Sequence, residues 1–100
     1  MRFRMSDGAI VDTTVFRRHW HEGRYWDGYG TMRSRSTGLA DVRETLFLDH
    51  DARYFLLTER IGERASCEWL TNNESARWLL ANGYRFAIQV RKLAEVSKAA

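Results

Sequence analysis

The chain has 100 residues, of which 44% are apolar, and it carries a formal net charge of +3. This length predicts a single domain over residues 1–100, with a modest core that homodimerisation would help to stabilise. No apolar run approaches the roughly 18 residues of a membrane span, and the start of the chain lacks the apolar segment of a signal peptide. The single cysteine excludes an internal disulfide. We therefore expect a cytoplasmic protein with no membrane partner.

The first predicted element is a hairpin of two short strands, at residues 3–5 and 9–11. Asp7-Gly8 lies between them, and this pair favours a turn with positive φ at its central positions. The next apolar residues are Val15, Phe16 and Trp20, whose spacing fits either a helical turn or a strand.

Residues 21–41 combine four glycines with arginines and aromatic residues. This composition predicts a loop, with a short strand at residues 24–26. Connections of this length are typically functional or mobile in a compact domain.

An antiparallel meander is predicted next, with strands at residues 43–49, 53–61 and 64–70. The middle strand has apolar residues on both faces, because Phe55, Leu57 and Ile61 alternate with Tyr54 and Leu56. This pattern indicates a central strand that is covered on both sides.

A capped helix follows over residues 72–82. Thr71 and Glu74 form a capping box, and Gly83 supplies the left-handed residue that ends many helices. The helical period places Ala76, Leu79 and Leu80 on one apolar stripe. Trp78 lies nearly opposite this stripe, so we expect it to be exposed or, as we favour, covered by the C-terminal segment.

The C-terminal segment, residues 85–100, is basic. Its periodicity predicts a second helix, with a strand around residues 86–90 as the alternative. The predicted fold class is therefore α+β, with an antiparallel sheet of about four or five strands, the capped helix on one face and the C-terminal helix.

Catalytic and metal-binding patterns are weak. His19 and His21 would point to one side of a strand, but a metal site needs further ligands that the sequence does not supply. Cys67 alternates with Ala65 and Trp69, which predicts a core-facing thiol without an activating neighbour. We therefore predict no catalytic residues, no metal, no cofactor and no enzymatic activity.

Arginines and aromatic residues interleave in residues 16–35, which hold five Arg and two acidic residues. Such a mixture can hold single-stranded nucleic acid through phosphates and stacked bases. It is equally typical of protein–protein hot spots, and a loop pinned to the domain by its aromatic residues is the third interpretation. The candidate binding residues are Arg17, Arg18, Trp20, Arg24, Tyr25, Trp26, Tyr29, Arg33 and Arg35.

The order of these motifs resembles a loosely defined group of small proteins encoded by bacteriophages and other mobile elements. The likeness covers roughly residues 9–84, and Ala52 replaces the usual turn glycine. It is carried by Asp12-Thr13, Trp20, Leu46-Phe47-Leu48-Asp49, Ala52-Arg53-Tyr54-Phe55-Leu56 and Glu74-Ser75-Ala76-Arg77-Trp78-Leu79. The group has no assigned activity, so the resemblance implies no functional residues. It does imply a context in which small proteins bind a host protein, for instance as inhibitors of a CRISPR-type defence system.

These observations lead to one functional expectation and one alternative. We expect a non-enzymatic module that binds a host or effector protein by surface occlusion through residues 17–35. The alternative is a small nucleic-acid-binding or regulatory protein that uses the same arginines and aromatic residues.

Overall fold

The computed structural model describes residues 1–84 of the chain. The predicted C-terminal helix and the basic segment lie outside these described residues. The fold is α+β, as predicted. Its elements in chain order are β1 (Arg2–Arg4), β2 (Ile10–Asp12), β3 (Arg18–His21), β4 (Arg24–Trp26), β5 (Met32–Ser34), β6 (Val42–Leu48), β7 (Tyr54–Arg60), β8 (Ser66–Leu70) and α1 (Asn72–Ala81).

The strands form three antiparallel sheets within the described residues. One is a four-stranded sheet in the order β3-β6-β7-β8, and the other two are the hairpins β1–β2 and β4–β5. The expectation of one sheet of four or five strands is therefore correct only for the central sheet. The N-terminal hairpin was predicted at nearly the observed positions. The undecided segment around Trp20 is a strand, β3, which pairs with β6 at the sheet edge.

The central sheet is covered on both faces, as the sequence of β7 predicted. On one face, Leu46 and Leu56 pack with Trp20, Tyr54 and residues of α1. On the other face, Phe47 and Phe55 stack with ring centroids 4.9 Å apart. The N-terminal hairpin covers this second face.

Ile61 does not contribute to either face, contrary to prediction. It follows the last residue of β7 and its side chain is 81% exposed. The alternation of β7 ends before this position, because the chain turns away at residues 61–63.

The turn between β6 and β7 is built by Asp49, whose carboxylate accepts hydrogen bonds from the amides of Asp51 and Arg53, both at 2.9 Å. Ala52 has a φ of 61° in this turn. A residue with a Cβ is strained in the left-handed region, where glycine is not. This strain explains why a glycine would be the expected residue at position 52.

The start and end of α1 agree with the predicted caps. The Thr71 hydroxyl accepts from the Glu74 amide at 3.1 Å, and the Glu74 carboxylate accepts from the Thr71 amide at 2.9 Å. Both halves of the capping box are therefore present. Gly83 has a φ of 88°, and its amide donates to the Leu80 carbonyl.

The buried face of α1 differs from the predicted stripe. Trp78 is buried, whereas Leu80 is 46% exposed. Trp78 packs in one cluster with Trp20, Leu46 and Leu56 of the sheet. Its predicted cover by the C-terminal segment lies outside the described residues. In this orientation the buried polar groups of the helix have partners. The Trp78 indole N–H donates to Glu44 of the sheet at 3.0 Å, and the Ser75 hydroxyl donates to the Thr71 carbonyl within the helix itself.

No helix within residues 1–84 combines the length and the apolar character that are needed to span a membrane.

Candidate binding surface

The predicted loop over residues 21–41 contains a hairpin. Its first strand, β4, was predicted at residues 24–26, whereas its second strand, β5, was not predicted. The pairs are Arg24 with Ser34, Tyr25 with Arg33 and Trp26 with Met32. We call β4, β5 and the turn at residues 27–31 the aromatic arm.

The turn of the aromatic arm is organised by the Asp27 carboxylate. One of its oxygens accepts from the amides of Tyr29 at 2.7 Å and Thr31 at 3.2 Å. The other accepts from the Arg33 guanidinium at 2.9 Å. The Tyr29 amide hydrogen bond, followed by the interactions with Arg33 and Thr31, lowers the pKa of Asp27. These bonds hold the turn in one conformation.

The aromatic arm presents large apolar side chains to solvent. Tyr29 is 95% exposed at the turn, Trp26 is 60% exposed and Met32 is 46% exposed. The strand register places Trp26 and Met32 side by side on one face, whereas Tyr25 lies on the opposite face. Aromatic side chains on an ordered turn lose little conformational entropy on binding, which makes them suitable contact residues.

The Arg24 side chain holds the arm together. Its guanidinium forms an ion pair with Glu22 at 2.6 Å and donates to the carbonyls of Met32 at 2.9 Å and Ala40 at 3.2 Å. Both terminal nitrogens of the guanidinium are therefore engaged within the domain. A binding role for Arg24 stays a prediction.

Arg33 is also engaged within the arm. Besides its ion pair with Asp27, it donates to the Gly38 carbonyl at 3.2 Å. The sequence alone could not distinguish such paired arginines from free ones, because their acidic partners are also common surface residues.

The base of the arm is fastened to the end of α1. The Gly23 amide donates to the Asn82 side chain at 2.9 Å, and the Arg35 amide donates to the Gly23 carbonyl at 2.8 Å. A Cβ on Gly23 would lie 2.8 Å from the Asn82 carbonyl oxygen. A glycine is therefore required by this close approach, a role that the sequence did not distinguish from those of the neighbouring glycines.

A second link joins the segment after β5 to the core. Glu44 accepts hydrogen bonds from the hydroxyl of Ser36 and from the indole of Trp78. The arm is therefore attached to both the sheet and the helix.

The remaining candidate residues do not form one surface with the arm. Arg17 and Arg18 lie where β3 begins, opposite the last residue of β6, whereas the arm follows the end of β3. The Arg18 guanidinium lies 5.0 Å from the ring centre of Trp20, and Trp20 is buried in the core. Arg35 is exposed at the base of the arm. Trp26 and Tyr29 are thus the candidates that the arm presents together with Met32, whereas Tyr25 lies on its opposite face.

The residues that were considered for catalysis or metal binding lie outside the aromatic arm. His19 and His21 are neighbours on one face of β3, with ring centroids 5.2 Å apart. Residues 1–84 contain no group of three or more His, Cys, Asp or Glu side chains arranged to hold a metal ion. Cys67 faces the cluster under the N-terminal hairpin, as its alternation predicted.

Comparisons of the chain with protein-family models, with curated proteins and with solved structures give no match.

Proposed function

We propose that the protein is a non-enzymatic binding module that recognises another protein through the aromatic arm. The observation that carries this proposal is the exposure of Tyr29, Trp26 and Met32 on a hairpin whose turn Asp27 holds in place. Hot spots in protein interfaces are enriched in Tyr and Trp. A preformed turn also reduces the entropy that is lost on association.

The ion pairs of the arm favour a protein partner over a nucleic acid. A phosphate backbone is bound by cations that can replace its counterions. Arg24 and Arg33 are neutralised by Glu22 and Asp27, so the arm itself offers few free cations. The nucleic-acid alternative would depend on Arg17, Arg18 and Arg35, and it predicts an affinity that falls steeply with salt.

The resemblance to small phage and mobile-element proteins supports a host protein as the partner. In this proposal, the protein inhibits a component of a host defence system by covering the surface that this component needs. No catalytic step is required for inhibition by occlusion.

The proposal is tested with the double variant Trp26→Ala and Tyr29→Ala. Each partner recovered from the native host by the parent chain is titrated against both proteins. Truncation of a hot spot typically costs about 2 kcal/mol or more of binding free energy. Exposed substitutions typically change stability by only about 0.5 kcal/mol. We therefore expect a large loss of affinity in a folded protein.

The matched control is Ile61→Ala, which removes an equally exposed apolar side chain outside the arm. We expect this variant to bind like the parent chain. Equal binding by the double variant would contradict the proposal. Arg24 is left unchanged, because its loss would remove the bonds that hold the arm together.

A further inference from the structure

A groove of about 740 Å³ lies between the N-terminal hairpin and the edge of the central sheet. One side is formed by residues 1–4, which include β1, and the other by residues 64–67, where β8 begins. The two strands are neighbours in space. They belong to separate sheets, and no backbone hydrogen bond joins them in the described part of the chain. The groove therefore lies between two strands that each have one unpaired edge.

The backbone groups on the free edge of β8 follow from the hydrogen bonds of the sheet. The Ile61 amide donates to the Asp41 carbonyl and continues the register of β6 and β7, so the odd-numbered residues of β7 bond to β6. In an antiparallel sheet, successive residues direct their backbone groups to opposite sides. The even-numbered residues of β7 therefore bond to their partners in β8, which are Ser66, Glu68 and Leu70. The amides and carbonyls of Cys67 and Trp69 consequently face the free edge.

The free edge of β1 is identified in the same way. The Met5 amide donates to the Ala9 carbonyl and continues the register of β1 and β2, so the odd-numbered residues bond to β2. The backbone groups of Arg2 and Arg4 therefore face away from β2. Unpaired N–H and C=O groups along a strand edge are a template for a further strand.

The groove is positively charged, since three arginines and no acidic residue line it. Arg4 and Arg64 are exposed and form no ion pair of 4.0 Å or less with the rest of residues 1–84. Arg2 is 81% exposed, and its guanidinium lies 3.8 Å from a carboxylate of β2. The apolar part of the groove is formed by Phe3 and Cys67, which are partly buried beside the cluster under the hairpin.

We propose that the groove binds an extended acidic segment of another protein, which adds to the sheet as a strand along the free edge of β8. Strand addition takes its affinity from backbone hydrogen bonds and its specificity from alternate side chains. The three arginines supply partners for the carboxylates of this segment. A nucleic acid would use the same cations but not the unpaired strand edge. The groove is separate from the aromatic arm, so this inference does not depend on the proposed function.

Glu68 restricts the acidic residues of the segment to alternate positions. Its register partner in β7, Leu56, packs with α1, whereas Cys67 and Trp69 pack under the hairpin. Like charges on neighbouring strands repel each other when they share a face. The carboxylates of the segment therefore belong on the hairpin side, and its residues on the α1 side are uncharged.

The test uses the full chain at low ionic strength and three short peptides. They are acetyl-Glu-Val-Glu-Val-Glu-amide, the same peptide with Gln in place of Glu, and the acidic peptide with every peptide nitrogen methylated. Backbone amide signals of the isotopically labelled protein are followed by NMR. We expect saturable shifts at residues 2–4 and 64–69 with the first peptide only, with a dissociation constant below about 1 mM. Binding should slow hydrogen exchange of the Cys67 and Trp69 amides but not of the Glu68 amide, which already bonds to β7.

Each comparison can overturn the proposal. No saturable shift with the acidic peptide at about 5 mM would refute it. Equal binding of the Gln peptide would exclude recognition of the carboxylates, and equal binding of the methylated peptide would exclude strand addition. A single-stranded oligonucleotide that shifts the same residues at a lower concentration than the acidic peptide would assign the groove to nucleic acid instead.

The double variant Arg4→Gln and Arg64→Gln locates the interaction. Both side chains are exposed, so the fold should be unaffected, and the loss of two exposed ion pairs should weaken binding of the acidic peptide about tenfold. Arg77→Gln removes an exposed arginine of α1 outside the groove and should bind like the parent chain. Unchanged binding by the double variant would overturn the proposal. The arm variant Trp26→Ala and Tyr29→Ala should bind the peptide normally, so the two proposals can fail separately.

Discussion

The thiol of Cys67 is the main nucleophile that the sequence offers, and its surroundings suppress its reactivity. Burial raises the pKa of Cys67 to about 11. Because the thiolate is the reactive form, almost none of the reactive species is present at neutral pH. The predicted absence of catalysis remains a prediction, and the thiol provides a direct test of it.

We expect Cys67 to react slowly with a thiol reagent in the native protein at neutral pH, and rapidly in denaturant. The native rate should rise with pH up to about 11. The control is a Cys67→Ser protein in which Ser66→Cys places a thiol on the exposed face of β8, where reaction should be fast. A fast native reaction of Cys67 near pH 7 would reopen the catalytic interpretation.

Among the elements, α1 is the one whose boundaries the sequence defines best. Thr71→Ala removes the hydroxyl that accepts from the Glu74 amide. The unfolding free energy should fall by about 1 kcal/mol, as measured by chemical denaturation. The control is Asn72→Ala, since the neighbouring amide side chain is exposed; this change should have little effect. Coincident denaturation curves for Thr71→Ala and the parent would show that the cap contributes nothing.

The meander and the caps of α1 could be predicted because their signals are local. The alternation of side chains along β6, β7 and β8 predicts which residues share a face of the sheet. The capping box predicts where the helix begins. The rotation of α1 could not be predicted in this way. It depends on distant polar partners, since Glu44 satisfies the Trp78 indole and Gly23 meets the Asn82 side chain. Hydrophobic periodicity alone therefore predicted that Leu80, and not Trp78, belongs to the buried stripe of the helix.

The aromatic arm was predicted only in part. Its aromatic residues were recognised, but β5 was missed because its three residues, Met32–Ser34, form too short a pattern beside Gly28 and Gly30. The pairing of Arg24 and Arg33 with acidic residues of the same segment was not predicted.

For the whole molecule, three aspartates link stability to pH. The pKa of Asp7 is lowered chiefly by the Ala9 amide, that of Asp12 by the Thr14 hydroxyl and that of Asp27 by the Tyr29 amide. A carboxylate whose pKa is lowered in the folded state stabilises the fold at any pH above the pKa of the unfolded state. This stabilisation is lost as the pH falls through the pKa of the folded state.

We therefore expect the unfolding free energy to decrease as the pH falls below the ordinary aspartate value of 3.8. Urea denaturation at a series of acidic pH values measures this dependence. Asp27→Asn should be less stable at neutral pH and should lose less stability on acidification. An unfolding free energy that stays constant or rises below this pH would contradict the stabilising role of these three aspartates.

The strand order β3-β6-β7-β8 also has a consequence for the time course of folding. Short turns join β6, β7 and β8, whereas residues 22–41 separate β3 from β6. Because a long loop is closed at a greater entropic cost, the meander can form before β3 joins it. The aromatic arm lies within that loop, so the surface proposed for recognition is completed in the last stage of folding. Substitutions in the arm should then accelerate unfolding more than they slow refolding.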